Sequence, residues 1–248
     1  VGGDVRVSRG SQLGAAFAYS GTDADGNGVN QTDTSVDSFQ FVVYGDHVSE
    51  HATYAKAMVG FGWHQNDIAR HNVGGIAGNT ARGAYDATQA TARIEFGRAF
   101  DGGGGLTFIP RVTASYAYYD ADGYSETGVG GLGLDVTPES LSSMRVGLGA
   151  RARWDVALAG GELLQPELRL DYRRDLSRER FETVSEFLGA PGVAFVTYGV
   201  KPPADILNVG VGALLATAGG VDLRANYDFE LKEDYTAHAA YMRASIPF

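Results

Sequence analysis

The sequence predicts an all-β protein, a transmembrane antiparallel up-and-down β-barrel, and three observations carry that prediction. Apolar and polar residues alternate from end to end of the chain, no sustained i, i+3, i+4, i+7 stripe with caps marks a helix, and the connections are by turns tight and long. A water-soluble sandwich also alternates, but its apolar face must meet a second apolar face, and its loops have no reason to alternate in length. In lipid every backbone group must be paired, so the sheet closes. Its oily face then meets acyl chains, its ionic face lines the interior, and short turns on one side of the membrane alternate with long loops on the other.

Eleven strands follow in order: Val1–Ser8, Gln12–Gly21, Ser38–Tyr44, Ala52–Asn66, Ala87–Phe100, Leu106–Asp120, Ser143–Leu158, Leu163–Leu176, Asp205–Ala216, Val221–Lys232 and Tyr235–Phe248. The period is clearest in Val221–Lys232. Val221, Leu223, Ala225, Tyr227, Phe229 and Leu231 share one face, and Asp222, Arg224, Asn226, Asp228, Glu230 and Lys232 share the other. Leu164–Leu176 and Met144–Leu158 repeat it, with Leu148, Leu168 and Leu170 on the oily side. The long connections are Thr22–Asp37, Asp67–Asp86, Ala121–Ser142 and Ser177–Ala204; the others are tight. Phe248 falls on the short-turn side and Val1 on the long-loop side. A closed antiparallel barrel with both ends in the periplasm needs an even strand count, so about twelve strands are expected, with the first lying before Val1. A twelfth strand inside Gly192–Lys201 ranks lower, because it puts the long loops of the first half on the wrong side. The whole of 1–248 reads as one barrel domain.

Composition narrows the function. The chain has 35 Gly among 248 residues, about twice the usual share, and no Cys. Disulfides, Cys-ligated zinc and cysteine nucleophiles are therefore out. A net charge of -10 is the wrong sign for a nucleic-acid partner. The uncharged stretches Phe187–Val200 and Val209–Val221 are broken by Gly and fall short of the ~20 apolar residues of a spanning helix. No basic, apolar leader opens the sequence, which places any export signal upstream.

Several segments resemble the C-terminal translocator β-domain of autotransporters, the type V secretion proteins of Gram-negative bacteria. Val1-Gly2-Gly3-Asp4-Val5-Arg6-Val7 with Leu13-Gly14-Ala15-Ala16-Phe17-Ala18-Tyr19-Ser20 resembles that family's second and third strands, and Val42-Val43-Tyr44-Gly45 the next. Asn208-Val209-Gly210-Val211-Gly212-Ala213 and Leu223-Arg224-Ala225-Asn226-Tyr227-Asp228 resemble its penultimate strands. At the terminus Met242, Ala244, Ile246 and Phe248 alternate to a final aromatic, as in the outer-membrane assembly signal. The family's first strand and the helix that threads its pore are not in this sequence. The resemblance implies a monomeric outer-membrane barrel that anchors and exports an N-terminal passenger. Its partners would be membrane lipid, the barrel assembly machinery and its own passenger segment in the lumen; no cofactor is expected. A free-standing small pore is the second reading, and a barrel enzyme with rim chemistry at His64 or His71 the third.

Parity assigns the lumen its charges. Arg6, Lys56, Arg93, Arg111, Arg145, Arg151, Arg153, Arg169, Arg173, Arg224, Lys232 and Arg243 face inward with Asp4, Glu95, Asp155, Glu167, Asp171, Asp175, Asp222, Asp228 and Glu230. This interior is slightly basic while the chain is acidic, so rims and loops carry the acid. Arg153 should lie near Glu167 and Arg145 near Asp175, ladders that brace a water-exposed wall or keep it non-adhesive toward a moving chain. Luminal Gly14, Gly60, Gly62, Gly97, Gly147, Gly149, Gly210 and Gly212, with Ala237 and Ala239, should leave room for a helix of ~10 Å diameter.

Other chemistry is weaker. Gly128-Val129-Gly130-Gly131-Leu132-Gly133 matches a dinucleotide fingerprint but lies in a long loop instead of a βαβ unit. His47 and His51 share no helix face for a metal. His64 and Asp67 resemble the acid and imidazole pairs of outer-membrane proteases without completing a set. Asn226, Asp228 and Glu230 suit the intrabarrel cleavage of some autotransporters, but no motif aligns and those roles are not carried over. Asn30-Gln31-Thr32 is a sequon in the wrong compartment. The expectation is a protein with no catalytic or metal site.

Overall fold

The computed structural model describes residues 1–26, 31–177, 180–233 and 235–245. Eleven strands form one continuous sheet in chain order: β1 (Gly2–Ser8), β2 (Ser11–Asp25), β3 (Thr32–Val48), β4 (Thr53–Arg70), β5 (Ala81–Arg98), β6 (Leu106–Ala121), β7 (Leu141–Trp154), β8 (Leu163–Asp175), β9 (Asp205–Ala216), β10 (Asp222–Lys232) and β11 (Tyr235–Ser245). Each pairs antiparallel with the next, an up-and-down meander with β1 and β11 at the two ends of the path. Phe100–Gly103 and Val156–Ala157 add short pairings at two of the tight hairpins.

The long external connections are shorter than the sequence implied. β3 starts at Thr32 instead of Ser38, β4 runs on to Arg70, and β5 starts at Ala81 instead of Ala87. β4 and β5 have 18 residues each, against the 9–11 a tilted strand needs to cross a bilayer, so the wall stands proud of the membrane on the long-loop side. The remaining external connections are partly ordered. Tyr124–Ser125, Leu134–Pro138, Glu182–Phe187 and Ala194–Tyr198 make a separate four-stranded sheet, so the strand inside Gly192–Lys201 belongs to an external hairpin and not to the barrel wall. Gly130–Leu132, within the glycine-rich match, is a single 3₁₀ turn in that region.

Burial is inverted relative to a water-soluble domain. No large side chain among the described residues is fully buried, and the most enclosed residues include Glu95, Arg169, Asp175 and Asn226. The big apolar side chains point outward instead: Leu148 is 65% exposed, and Phe17, Phe41, Val59, Phe61, Leu168, Leu170, Val211 and Leu223 are exposed with it. Only a hydrocarbon solvent makes such a surface favourable over so many strands. Phe229, on the apolar face of β10, is less exposed. It is half-buried, its ring 4.9 Å from that of His238 on β11. Tyr19, Phe39 and Trp63 lie side by side in register on β2, β3 and β4, with ring centroids 5.3 and 6.0 Å apart, a short aromatic girdle on the outer face.

Candidate functional site: the luminal wall

The inner face is a lattice of charges whose reach is set by glycine. In β7, Gly149 lies directly opposite Arg111 of β6 on one side and Asp171 of β8 on the other. A Cβ at Gly149 would fall 1.9 Å from Asp171 Oδ1, so only glycine leaves the notch through which Arg111 Nε donates to Asp171 at 2.8 Å. β9 repeats the device. Gly210 separates Arg169 of β8 from Asp228 of β10, and Arg169 Nη2 crosses it to donate to Asp228 at 3.0 Å. A Cβ there would sit 2.4 Å from Asp228 and 2.7 Å from Arg169. At Gly97 the notch is filled by the ring of Tyr54, whose hydroxyl donates to Glu95 at 2.9 Å; at Gly14 it is filled by Tyr44. These glycines therefore do not hold open empty space: neighbouring side chains lie flat across them.

From the notches the ion pairs run round much of the wall. Glu95 meets Arg93 at 3.5 Å and Arg111 at 3.9 Å. Arg145 reaches Asp175 at 3.1 Å, and Ser143 Oγ donates to the same carboxylate at 2.8 Å. Arg169 Nη1 donates both to Glu167 at 2.8 Å and to Asn226 Oδ1 at 2.7 Å. Glu230 takes Arg173 and, at 2.7 Å, Lys232. Arg153 stands opposite Glu167 in register, yet its ion pair is with Asp155 at 3.7 Å. Glu167 is already engaged by Arg169 and, at 3.4 Å, by Arg151. Asp222, Arg224 and Arg243 make no ion pair among the described residues, and Arg224 faces Arg243 across β10 and β11. Of the terminal signal, Met242 and Ala244 lie on β11, Met242 almost fully exposed; Ile246 and Phe248 fall outside the described residues, as does Asn30 of the sequon.

The histidines of the rim are placed differently from the sequence expectation. His64 and Asp67 are three residues apart on one strand and so face opposite ways. His64 is paired through Nδ1 with Ser38 Oγ at 2.8 Å, while its Nε2 is buried without a partner. His71 lies between Asp33 Oδ2 at 2.9 Å and Thr80 Oγ1 at 3.1 Å. His47 Nδ1 contacts Ser11 Oγ at 2.9 Å.

Sequence reasoning missed how the external connections fold onto the inner face. Arg70, at the end of β4, donates through Nε to Glu126 at 3.1 Å, and Glu126 also accepts from the Leu134 amide at 2.9 Å. Tyr124 stacks on Tyr85 at 5.0 Å, over Gly83, where a Cβ would lie 2.5 Å from its ring. Burial, with Glu126 and Tyr85 nearby, pushes the Tyr124 hydroxyl up to about 12. These residues sit in loops without period, and the glycine at 83 was the one available signal.

A family model described as the autotransporter beta-domain matches residues 1–228. The chain belongs to the autotransporter β-domain family. Its fold is close to solved members: the translocator domain of NalP from Neisseria meningitidis (TM-score 0.72, 17% identity, 98% of this chain and 77% of that one). The β-domain of the Bordetella autotransporter BrkA gives a TM-score of 0.66 at 17% identity, over 94% of this chain and 81% of that one. The transport unit of AIDA-I from Escherichia coli gives 0.66 at 12% identity, covering 100% and 80%. Two curated relatives, both named Esterase EstA, from Pseudomonas aeruginosa and Pseudomonas putida, are 27% identical over 139 residues, 56% of this chain and 21% of theirs. The match spans about a fifth of those relatives. Autotransporter β-domains are outer-membrane barrels of Gram-negative bacteria that anchor and export a passenger, and the inverted burial and alternating connections of this autotransporter β-domain are the physical counterpart of that role.

Proposed function

We propose that residues 1–248 form all but one strand of the membrane part of a longer chain, closing with a further strand upstream of Val1 between β1 and β11 and passing its own passenger outward through the lumen. The observation that carries this is the wall itself, apolar outside and lined inside by charges of which most are paired with one another, two of the pairs across glycine notches. A chain sliding past such a wall meets groups with little left to bind it, and pore water screens the rest. Replacing Arg111 and Asp171 together by Leu tests this. The paired variant keeps a neutral wall but makes it adhesive, and the passenger should reach the cell surface more slowly from a barrel still folded by its gel mobility; an unchanged arrival rate counts against the track.

The barrel contributes no chemistry in this reading. His64 carries no carboxylate on its second ring nitrogen; His71 stands between the Asp33 carboxylate and the Thr80 hydroxyl, the order of partners a hydrolytic relay uses, and this reading takes that contact as a structural tie at the external rim. The esterase relatives align over a fifth of their length, which is consistent with activity lying in the rest of such a chain. His64→Ala and His71→Ala in the complete protein should leave any ester hydrolysis unchanged; its loss from a folded barrel would assign the chemistry to the rim. Insertion by the barrel assembly machinery through Met242, Ala244, Ile246 and Phe248 and a monomeric state in lipid complete the proposal.

A further inference from the structure

We infer that the lipid-facing side of β2–β5 holds a groove for one phospholipid of the periplasmic leaflet, with an acyl chain along Gly45, Ala57 and Ala55 and the phosphate between His47 and Arg98. Two rows of the sheet build it. In the upper row Leu13, Gly45, Ala57 and Ile94 stand in register on β2, β3, β4 and β5, and in the lower row Ser11, His47, Ala55 and Phe96 do the same. Gly45, Ala57 and Ala55 are small, while Leu13, Ile94 and Phe96 on either side project, each about half exposed. Val43 and Val59, paired with each other, close the upper end. The result is a groove of about 510 Å³ with an almost wholly apolar lining, within the ~300–1,000 Å³ of clefts that hold a ligand.

Depth decides what fills it. Trp63 belongs to the aromatic girdle of the long-loop side, and Thr53 to Trp63 is about one bilayer crossing for a tilted strand, which takes ~9–11 residues. The Thr53–Arg98 pair therefore lies at the periplasmic interface, and the small residues above it lie in hydrocarbon. Polar groups gather at that lower end. Ser11 Oγ contacts His47 Nδ1 at 2.9 Å; with the hydroxyl donating, the ring hydrogen is on Nε2, which no described residue engages. Arg98 shares the outer face with Phe96, its guanidinium carbon lies 5.1 Å from the centre of the Phe100 ring, and it makes no ion pair among the described residues. Of the acids nearby, Asp46 faces the lumen, and Glu50 and Asp101 sit in the hairpins beyond the strand ends. Water alone satisfies exposed donors, and any acyl chain fills an apolar groove. The junction of the two at headgroup depth is what a phospholipid matches, since one molecule carries both the phosphate and the chain. The inference uses the fold and not the passenger track.

Native mass spectrometry of the complete protein, purified in detergent and supplied with dipalmitoyl phosphatidylglycerol, tests this. The native protein should keep one molecule of that lipid after the rest is stripped, and should not keep dipalmitoyl glycerol, which has the chains without the phosphate. Ala57→Leu fills the floor of the groove and should lose the lipid; Arg98→Gln should weaken its retention roughly tenfold. Ala152→Leu, on the outer face of β7 between Phe108 and Leu168, should change nothing. Gel mobility scores folding of each variant, and should Ala57→Leu fail to fold, the comparison of the two lipids and Arg98→Gln decide. A native protein that keeps no lipid, or keeps both lipids alike, overturns the site, as does retention by folded Ala57→Leu equal to that of the native protein. A native dimer that Ala57→Leu converts to a monomer would give the groove to a second copy of the chain and would overturn it too.

Discussion

Glycine at 149 and 210 decides where these luminal charges meet, because side chains on strands twice removed come together only where the strand between them has none. Gly149→Val should therefore displace the Arg111–Asp171 pair and cost about 1–3 kcal/mol by overpacking, more if the mostly buried Arg111 loses its partner outright. The control is Gly3→Ala on β1, where a Cβ would meet nothing within 4 Å; its effect should stay within about 0.5 kcal/mol. Urea unfolding of the refolded barrels measures both, and equal midpoints for the two variants would remove the notch from the account. These roles were half legible. Alternation gave each charge its face, but the partner of Arg169 depends on a glycine of the neighbouring strand, and the turn of Arg153 away from Glu167 depends on competition by Arg151 and Arg169, neither of which spacing reveals.

Each strand carries its own solvent preference, and lipid depth sets its size. Leu148 lies in the middle of β7, so Leu148→Arg should cost about 2–4 kcal/mol of membrane stability; Leu223 is one residue from the start of β10, and Leu223→Arg should cost nearer ~0–1. Insertion into vesicles, scored by folded gel mobility, orders the two, and the reverse order would contradict the assigned faces and depths. The terminal strand has a separate task, since unpaired amides in hydrocarbon oblige the chain to insert with help. Replacing Phe248 with Asp should leave unfolded chain in the periplasm while hardly moving the melting of barrels refolded in detergent; normal insertion in cells would reduce Phe248 to an interfacial anchor. The external segments titrate. Tyr124 is held neutral up to about 12, whereas an unfolded tyrosine ionises near 10. The unfolded loop thus gives up its proton first, and the contribution of Tyr124 is full below pH 10 and lost as pH rises toward 12. Tyrosinate absorbance with hydrogen exchange across Tyr124–Ser125 should show that loosening, and Tyr124→Phe should abolish it. Strand existence was legible wherever one face meets lipid. Strand ends were not, because Thr32–Asp37 and Asp67–Arg70 rise above the bilayer with polar residues on both faces, and Leu134–Pro138 and Glu182–Phe187 pair with each other across a long stretch of sequence.

The whole molecule is a sheet turned inside out, with apolar side chains outward and ion pairs inward, and this arrangement suits the role of the autotransporter β-domain family to which the chain belongs, whose members fix themselves in the outer membrane and export a passenger. The long external connection between β6 and β7, which packs on the inner face through Glu126 and Tyr124, marks the side from which a passenger would emerge. The decisive measurement is protease accessibility on intact cells expressing the complete natural protein. The segment upstream of Val1 should be cut from outside in the native protein, and should stay protected in the periplasm when residues 1–248 are deleted. An upstream segment that remains periplasmic while the barrel is folded in the outer membrane would contradict the account.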